Sequence, residues 1–232
     1  SLEKAIRKDT ILVSIMFANN EIGTIQNIKE LVAIAHAHGI IFHTDAVQGV
    51  GHIHINVSDL NVDLLSASAH KFNGPKGIGF LYKKNDVNMQ PYVHGGIQES
   101  QMRAGTENIA GIVGMSVALE KNTRNIEYHT KILWELSNTI LCELKQNHVD
   151  FILNGDAEKR LPGHLSLSFR GQDGEAIMHR LDLKGILIST GAACNSKEIG
   201  VSHVIKAISV PKEYAKGTIR ITFGKNNTQN EA

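Results

Sequence analysis

Cysteine is scarce in this chain of 232 residues: Cys142 and Cys194 are the only two. Two thiols cannot build a disulfide framework, and no C-x-x-C spacing is present for zinc or redox work. Long apolar runs are missing as well. A stretch such as residues 186–188 falls far short of the ~18 residues a membrane span needs. Neither sign of charge dominates: 24 Lys plus Arg stand against 23 Asp plus Glu, a net charge of +1, with the signs interleaved. That balance argues against nucleic acid or an anionic membrane as the main partner. No internal repeat, low-complexity tract or signal-peptide pattern is found, so the chain reads as a soluble, cytoplasmic protein. At ~150 residues per domain the length allows one large domain or two small ones. Such a chain can bury roughly 70% of its unfolded surface and needs no covalent staple.

What is present is an alternation of strand and helix. Residues 11–16 are short and β-branched-rich and are ended by Asn19-Asn-Glu-Ile-Gly23. Ile28, Leu31, Val32, Ile34 and Ala35 recur at helical spacing through residue 38, with Gly39 placed to end the helix. Residues 40–42 read as a buried strand running into His43-Thr44-Asp45, and residues 63–66 as another leading to Ala69-His70-Lys71. Beyond the Gly74-Pro75 turn, residues 79–82 read as a further strand. This order predicts an α/β layer, in which ligands sit beyond the carboxyl ends of the strands. Residues 108–146 read as helical with a break at 122–127. A strand at 165–169, a helix at 175–183 and strands at 185–189 and 218–223 follow. The domain boundary is placed near residue 125, and the polar tail 226–232 is expected to fray.

Several side chains in this frame suit chemistry, each with a plainer alternative. Asp45 and Gln48 follow a strand in the spacing D-x-x-Q, where a carboxylate can meet a ligand cation or simply start a turn. Lys71 sits past a strand end in Ser66-Ala-Ser68-Ala-His70-Lys71, and an exposed lysine is the default reading for it and for Lys76. Its company separates it: hydroxyls and an imidazole before it, then glycines that permit close backbone approach, suit a phosphate-bearing cofactor and a Schiff-base amine. Cys194 lies among small residues in Ser189-Thr-Gly-Ala-Ala-Cys194, where an accessible nucleophilic thiol is expected, whereas Cys142 reads as core. Thr106, after Arg103-Ala-Gly, is either the N-cap of the next helix or an anion ligand. Arg220, on the last strand, is either a surface ion pair or a clamp for a carboxylate. His36 and His38 face different sides of a helix, and His52 and His54 have no third ligand beside them, so no metal site is expected.

Together these stretches resemble the cysteine desulfurases, pyridoxal-phosphate enzymes of fold type I in the class-V aminotransferase superfamily. The resemblance rests on Asn19-Asn-Glu-Ile-Gly23, His43-Thr-Asp-Ala-Val-Gln48, Ser68-Ala-His-Lys71 with Gly74-Pro-Lys-Gly-Ile-Gly79, Arg103-Ala-Gly-Thr106, Ser189-Thr-Gly-Ala-Ala-Cys194 and Ile219-Arg-Ile221, in the family's order. It implies a partial large domain with a mostly parallel sheet over residues 1–125, and a smaller α/β domain over residues 126–232. It also implies roles. Lys71 would carry the cofactor and shuttle the substrate Cα proton. Asp45 would pair with the pyridinium nitrogen and Gln48 with the phenolic oxygen. Ser68 and His70 would hold the phosphate, with Thr106 reaching that of the other subunit of a homodimer. Asn20 and Arg220 would grip the carboxylate of L-cysteine. Cys194 would take the sulfur as a persulfide, releasing L-alanine. The stretch 195–216 resembles the family's extended, mobile cysteine loop, which can deliver sulfur to an acceptor protein such as an iron–sulfur scaffold.

Relative to that family, a phosphate-binding turn and a ring-stacking histidine are expected upstream of residue 1, and a closing helix after the last strand. The chain therefore reads as a fragment, with impaired turnover and with exposed sheet edges and apolar helix faces that favour association. The alternatives are a selenocysteine lyase, which shares the lysine and the cysteine, and a non-catalytic fragment that dimerises or binds a partner. An aminotransferase of the same fold needs no thiol and is disfavoured by Cys194.

Overall fold

The computed structural model describes residues 1–191 and 200–232. By packing, the chain divides into two units: one of residues 1–17 and 27–124, the other of residues 18–26 and 125–232.

The first unit contains helices α1 (Leu2–Ala5), α2 (Ile28–Ala37), α3 (Val57–Leu60) and α4 (Ile109–Arg124). Its strands are β1 (Leu12–Met16), β2 (Ile41–Asp45), β3 (Leu64–Ser68) and β4 (Gly79–Lys83). They form one sheet in the order β1-β2-β3-β4, parallel except for the antiparallel β3–β4 pair. Helix α2 forms because Ile28, Val32 and Ala35 fall on one buried face. It stops at Gly39, whose φ of +68° lets the N–H of Gly39 reach the carbonyl of His36 and that of Ile40 the carbonyl of Ala35.

Alternation along the strands separates the two faces of this sheet. Val13, Phe42, Thr44, Leu65 and Ala67 point to the buried side, while Leu12, Met16, Asp45 and Leu81 are exposed on the other. Phe42 and Leu65 are almost fully enclosed, each worth about 2 kcal/mol of burial. The open face carries the strand-end polar groups discussed below.

The second unit holds α5 (Ile126–Gln146), β5 (Phe151–Leu153), β6 (His164–Phe169), α6 (Gly174–Asp182), α7 (His203–Ala207), α8 (Lys212–Ala215) and β7 (Thr218–Thr222). The three strands form an antiparallel sheet with β6 in the centre. Leu165, Leu167 and Ile219 make its core, and Ile140, Leu141 and Leu144 of α5 pack on them. Helix α6 starts at Asp173, whose carboxylate accepts the N–H groups of Glu175 and Ala176 at 3.0 and 3.2 Å.

Two expectations are corrected here. Residues 185–189 form no strand: only Ser189 bridges β7, exchanging two main-chain hydrogen bonds of 2.6 and 3.1 Å with Arg220. Ile188 packs on the core of the sheet while Leu187 and Ile186 stay exposed, which is not how a buried strand is enclosed. Cys142 is exposed rather than core, because α5 turns Ile140, Leu141 and Leu144 toward the sheet and leaves it on the outer side. The tail makes polar bonds within itself and one to α5. Thr228 N–H donates to Glu231 at 2.7 Å, Gly224 N–H to Asn227 Oδ1 at 2.8 Å, and Thr139 Oγ1 to Gln229 at 2.9 Å.

Candidate functional site

Asp45 and Ser68 are the last residues of the parallel neighbours β2 and β3, so both stand at the carboxyl end of the sheet. Asp45 is exposed, and its Oδ1 accepts the N–H of Val47 at 3.0 Å, starting the tight turn that carries half-buried Gln48. Ser68 Oγ and His70 Nδ1 lie 2.8 Å apart, presenting a hydroxyl and an imidazole together. A single 3-10 turn, Ala69–Phe72, carries His70 and leaves Lys71 exposed while Ala69 and Phe72 plug into the core. Asn73, at φ +64°, closes the turn, and the N–H of Gly74 returns to the carbonyl of Ala69 at 2.8 Å.

A polar relay missed in the sequence lies on the same open face. His43 Nδ1 is 2.8 Å from Ser14 Oγ on β1, and its Nε2 is 3.2 Å from Ser66 Oγ on β3. Burial pulls the His43 pKa below the ordinary histidine value and so favours the neutral ring, while the Asp45 carboxylate partly offsets this by favouring the cation. The signal was the period of two along β2, which puts His43 on the face of Asp45.

Thr106 is exposed and lies ahead of α4. Asn108 caps that helix instead, its Oδ1 accepting the N–H of Gly111 at 3.0 Å, so the N-cap alternative for Thr106 falls away.

Within the second unit the structure brings Asn20 and Arg220 together: Arg220 Nη1 donates to the main-chain carbonyl of Asn20 at 3.0 Å. The Asn19-Asn-Glu-Ile-Gly23 turn exists because Asn19 Oδ1 accepts the N–H groups of Glu21 and Ile22 at 2.9 and 3.0 Å. A buried polar network surrounds it. His164 Nε2–H donates to the carbonyl of Glu21 at 3.1 Å, and the Glu21 carboxylate accepts the hydroxyl of Ser202. Arg160, 2% exposed, donates to the carbonyls of Asp156, His164 and Asn154. Desolvation holds the His164 pKa down at about 4, reinforced by the Arg220 and Arg160 cations and opposed by the Glu21 carbonyl. Its neutral Nε2–H tautomer is thus the form that holds the turn. Glu21 falls within the quoted Asn19–Gly23 motif, whereas Arg160 and His164 sit in polar, turn-like stretches that give no local sign of burial.

Cys194 lies outside the described residues. His52 is no metal ligand in this arrangement: its Nε2–H donates to the carbonyl of Lys71 at 2.7 Å. Among the described residues no three His, Cys, Asp or Glu side chains gather as a metal-binding group, and no helix is long and apolar enough to cross a membrane.

Comparison with known proteins agrees with the motifs. A cysteine desulfurase IscS of Dictyoglomus turgidum is 51% identical over 230 residues, which is 99% of this chain and 58% of that protein. The chain thus spans under two thirds of the length of the curated relatives it matches. Among solved structures, a NifS-like protein superposes with a TM-score of 0.89 at 38% identity, covering 99% of this chain and 60% of that one. A NifS-like protein from Rickettsia africae gives 0.87 at 32% identity, covering 99% and 61%. The α/β architecture with a mostly parallel sheet is the one these relatives share. The family model described as aminotransferase class-V matches residues 1–232, end to end, and the chain belongs to that family.

Proposed function

We propose that this chain carries the cofactor lysine, the substrate clamp and the sulfur-accepting cysteine of a pyridoxal-phosphate-dependent cysteine desulfurase. The observation that carries the reading is Lys71, exposed on a turn directly behind the Ser68–His70 pair and beside the Asp45 strand end. The 51% identity to a cysteine desulfurase IscS supports it.

The residues fit the group. An exposed carboxylate, a hydroxyl–imidazole pair and an accessible amine stand at the carboxyl ends of adjacent parallel strands, where α/β sheets take phosphate-bearing ligands. When bound, pyridoxal phosphate supplies an electron sink for the carbanion formed beside the substrate amine. Asp45 holds the proton on the ring nitrogen, and Gln48 donates to the phenolic oxygen. Ser68 and His70 bind the phosphate, and Thr106 reaches that of a second subunit. Lys71 anchors the cofactor and then moves the Cα proton. Asn20 and Arg220 orient the carboxylate of L-cysteine. The Cys194 thiol takes the substrate sulfur as a persulfide, the carbon–sulfur bond breaks, and L-alanine leaves.

Residues 1–125 and 126–232 would then be portions of a cofactor domain and a small domain, with residues 18–26 packing in the second unit. The setting is the cytoplasm, where an exposed thiol such as Cys142 stays reduced. The partners are a second copy of the chain and a sulfur-acceptor protein.

The test is to add pyridoxal phosphate to the purified chain and record the visible spectrum, with Lys71→Ala beside it. A Lys71-dependent absorption band is expected, and with L-cysteine a persulfide on Cys194, read by mass spectrometry and lost in Cys194→Ala. A band that survives Lys71→Ala would defeat the reading, whereas no band in the parent chain would leave family membership standing and mark this chain as an inactive fragment. Faster turnover of selenocysteine than of cysteine would favour a selenocysteine lyase.

A further inference from the structure

The turn that carries Lys71 is gripped from two directions by side chains with no assigned role. Asn122, in the last turn of α4 and 7% exposed, donates through Nδ2 to the carbonyl of Phe72 at 2.7 Å and to that of Ala118 at 2.8 Å. His52, on the turn after β2, donates to the carbonyl of Lys71 at 2.7 Å. The consecutive carbonyls of Lys71 and Phe72 are therefore held by two different elements. Neither bond belongs to a regular ladder.

The packing around them is as tight. Phe72 is fully buried, and Gly51, at φ +79°, allows the chain to pass it: a Cβ there would stand 2.7 Å from Phe72 Cβ and 3.6 Å from Asn122 Cβ. On the far side of the turn, Pro75 lies against α4 so closely that a Cβ on Gly114 would come within 2.7 Å of its ring. An exposed amine on a backbone fixed in this way keeps its Cα in one place and moves only through its own side-chain torsions. That is the pre-organisation a proton-shuttling lysine needs.

We propose that Asn122 and His52 are positioning residues for Lys71, acting through the backbone carbonyls on its C-terminal side. The proposal rests on the reading of Lys71 as the cofactor lysine for its purpose, but its geometry can be tested with no cofactor present.

The experiment compares the parent chain with Asn122→Ala, His52→Ala and His52→Gln. Amide hydrogen exchange is read residue by residue, and acetic anhydride labelling gives the reactivity of Lys71 relative to Lys76. Loss of the Asn122 donor should speed exchange at the Gly74 amide roughly tenfold, while amides of β1, β2 and β3 stay within about twofold. His52→Ala should produce a smaller rise at the same amide, and His52→Gln, which keeps a donor, should reverse it. In both alanine variants the Lys71-to-Lys76 labelling ratio should change. An unchanged ratio together with unchanged exchange in the turn overturns the proposal. So does a rise spread evenly over the sheet, which is what a merely structural role gives. If Asn122→Ala does not fold, the half-buried His52 pair of variants decides the matter alone. With pyridoxal phosphate added, a band that survives Lys71→Ala defeats the functional reading, whereas loosened turns in the variants still uphold the positioning.

Discussion

Two segments of this chain present candidate chemistry, and they are held by different physics. The Lys71 turn of the first unit is seated by a buried phenylalanine and by a carboxamide and an imidazole that donate to main-chain carbonyls. The segment 18–26 of the second unit is held among buried ionisable groups: Glu21, 3% exposed, Arg160, 2%, and His164, 7%. A neutral donor in a dry seat costs little to bury when its bond is made. A buried guanidinium is costly unless every neighbouring carbonyl and charge is arranged for it, and an imidazole that burial keeps neutral is opposed by acid. The second segment should therefore be the more sensitive of the two to substitution and to acid.

The largest effect should come from Arg160→Met, which strands the three carbonyls that the guanidinium satisfies. A loss of about 3–5 kcal/mol is expected. Trp134 is the only tryptophan and lies in α5 of the second unit, so urea unfolding followed by its fluorescence reads this unit directly. A cost no larger than that of an exposed arginine would erase the contrast between the segments.

Acid comes next. His164 has a folded pKa near 4, below the ordinary value of 6.5. Between those values the unfolded chain binds more protons than the folded one, so stability falls as the pH drops through that window. The contribution is complete above pH 6.5 and gone below about pH 4, roughly 3 kcal/mol in all. Urea midpoints of the second unit at pH 7.5 and 4.5 should show this slope, and His164→Asn should flatten it. A slope that survives the substitution would place the acid sensitivity elsewhere.

Two glycines sharpen the comparison further. Gly23, at φ +75°, faces His164 so closely that a Cβ would stand 2.8 Å from the ring. Gly39, at φ +68°, has open space around it. Gly23→Ala carries both backbone strain and a clash and should cost about 2–3 kcal/mol, while Gly39→Ala carries the strain alone, about 1 kcal/mol. Equal costs would mean that the 18–26 turn yields more readily than its buried network implies. Smallest of all, Lys29→Ala breaks the 2.8 Å pair with Asp59, both side chains 63% exposed. The expected change is under ~0.5 kcal/mol and should shrink further in salt.

Much of the first unit was legible from the chain itself. The β-branched runs, the 3.6-residue spacing of α2 and the glycine after it are local features, decided by neighbours within a few residues. The strand-end position of Asp45 followed from the same reading, but the strand read as residues 63–66 runs on to Ser68, and the 3-10 turn that carries Lys71 was not read. Periodicity is less informative where packing chooses among faces. It placed Cys142 in the core, but an adjacent residue on a helix lies about 100° away, and Leu141 took the buried side. The short β5 strand went unread because its three residues gain their pairing from β6 alone. Residues 185–189 look like a strand by composition and make only one bridge.

The sequence by itself determined the class of the fold, the order of the strands in the first unit and the motifs that carry family membership, because each depends on residues close together in the chain. Only the tertiary structure decided that His164 would hold the carbonyl of Glu21, 143 residues away, and that Asn122 would hold that of Phe72, 50 residues away. Local spacing shows which side chains are apolar and which turns are possible. It carries no record of which distant donor a buried carbonyl will find, since that choice is made when the core closes and every polar group inside must be satisfied.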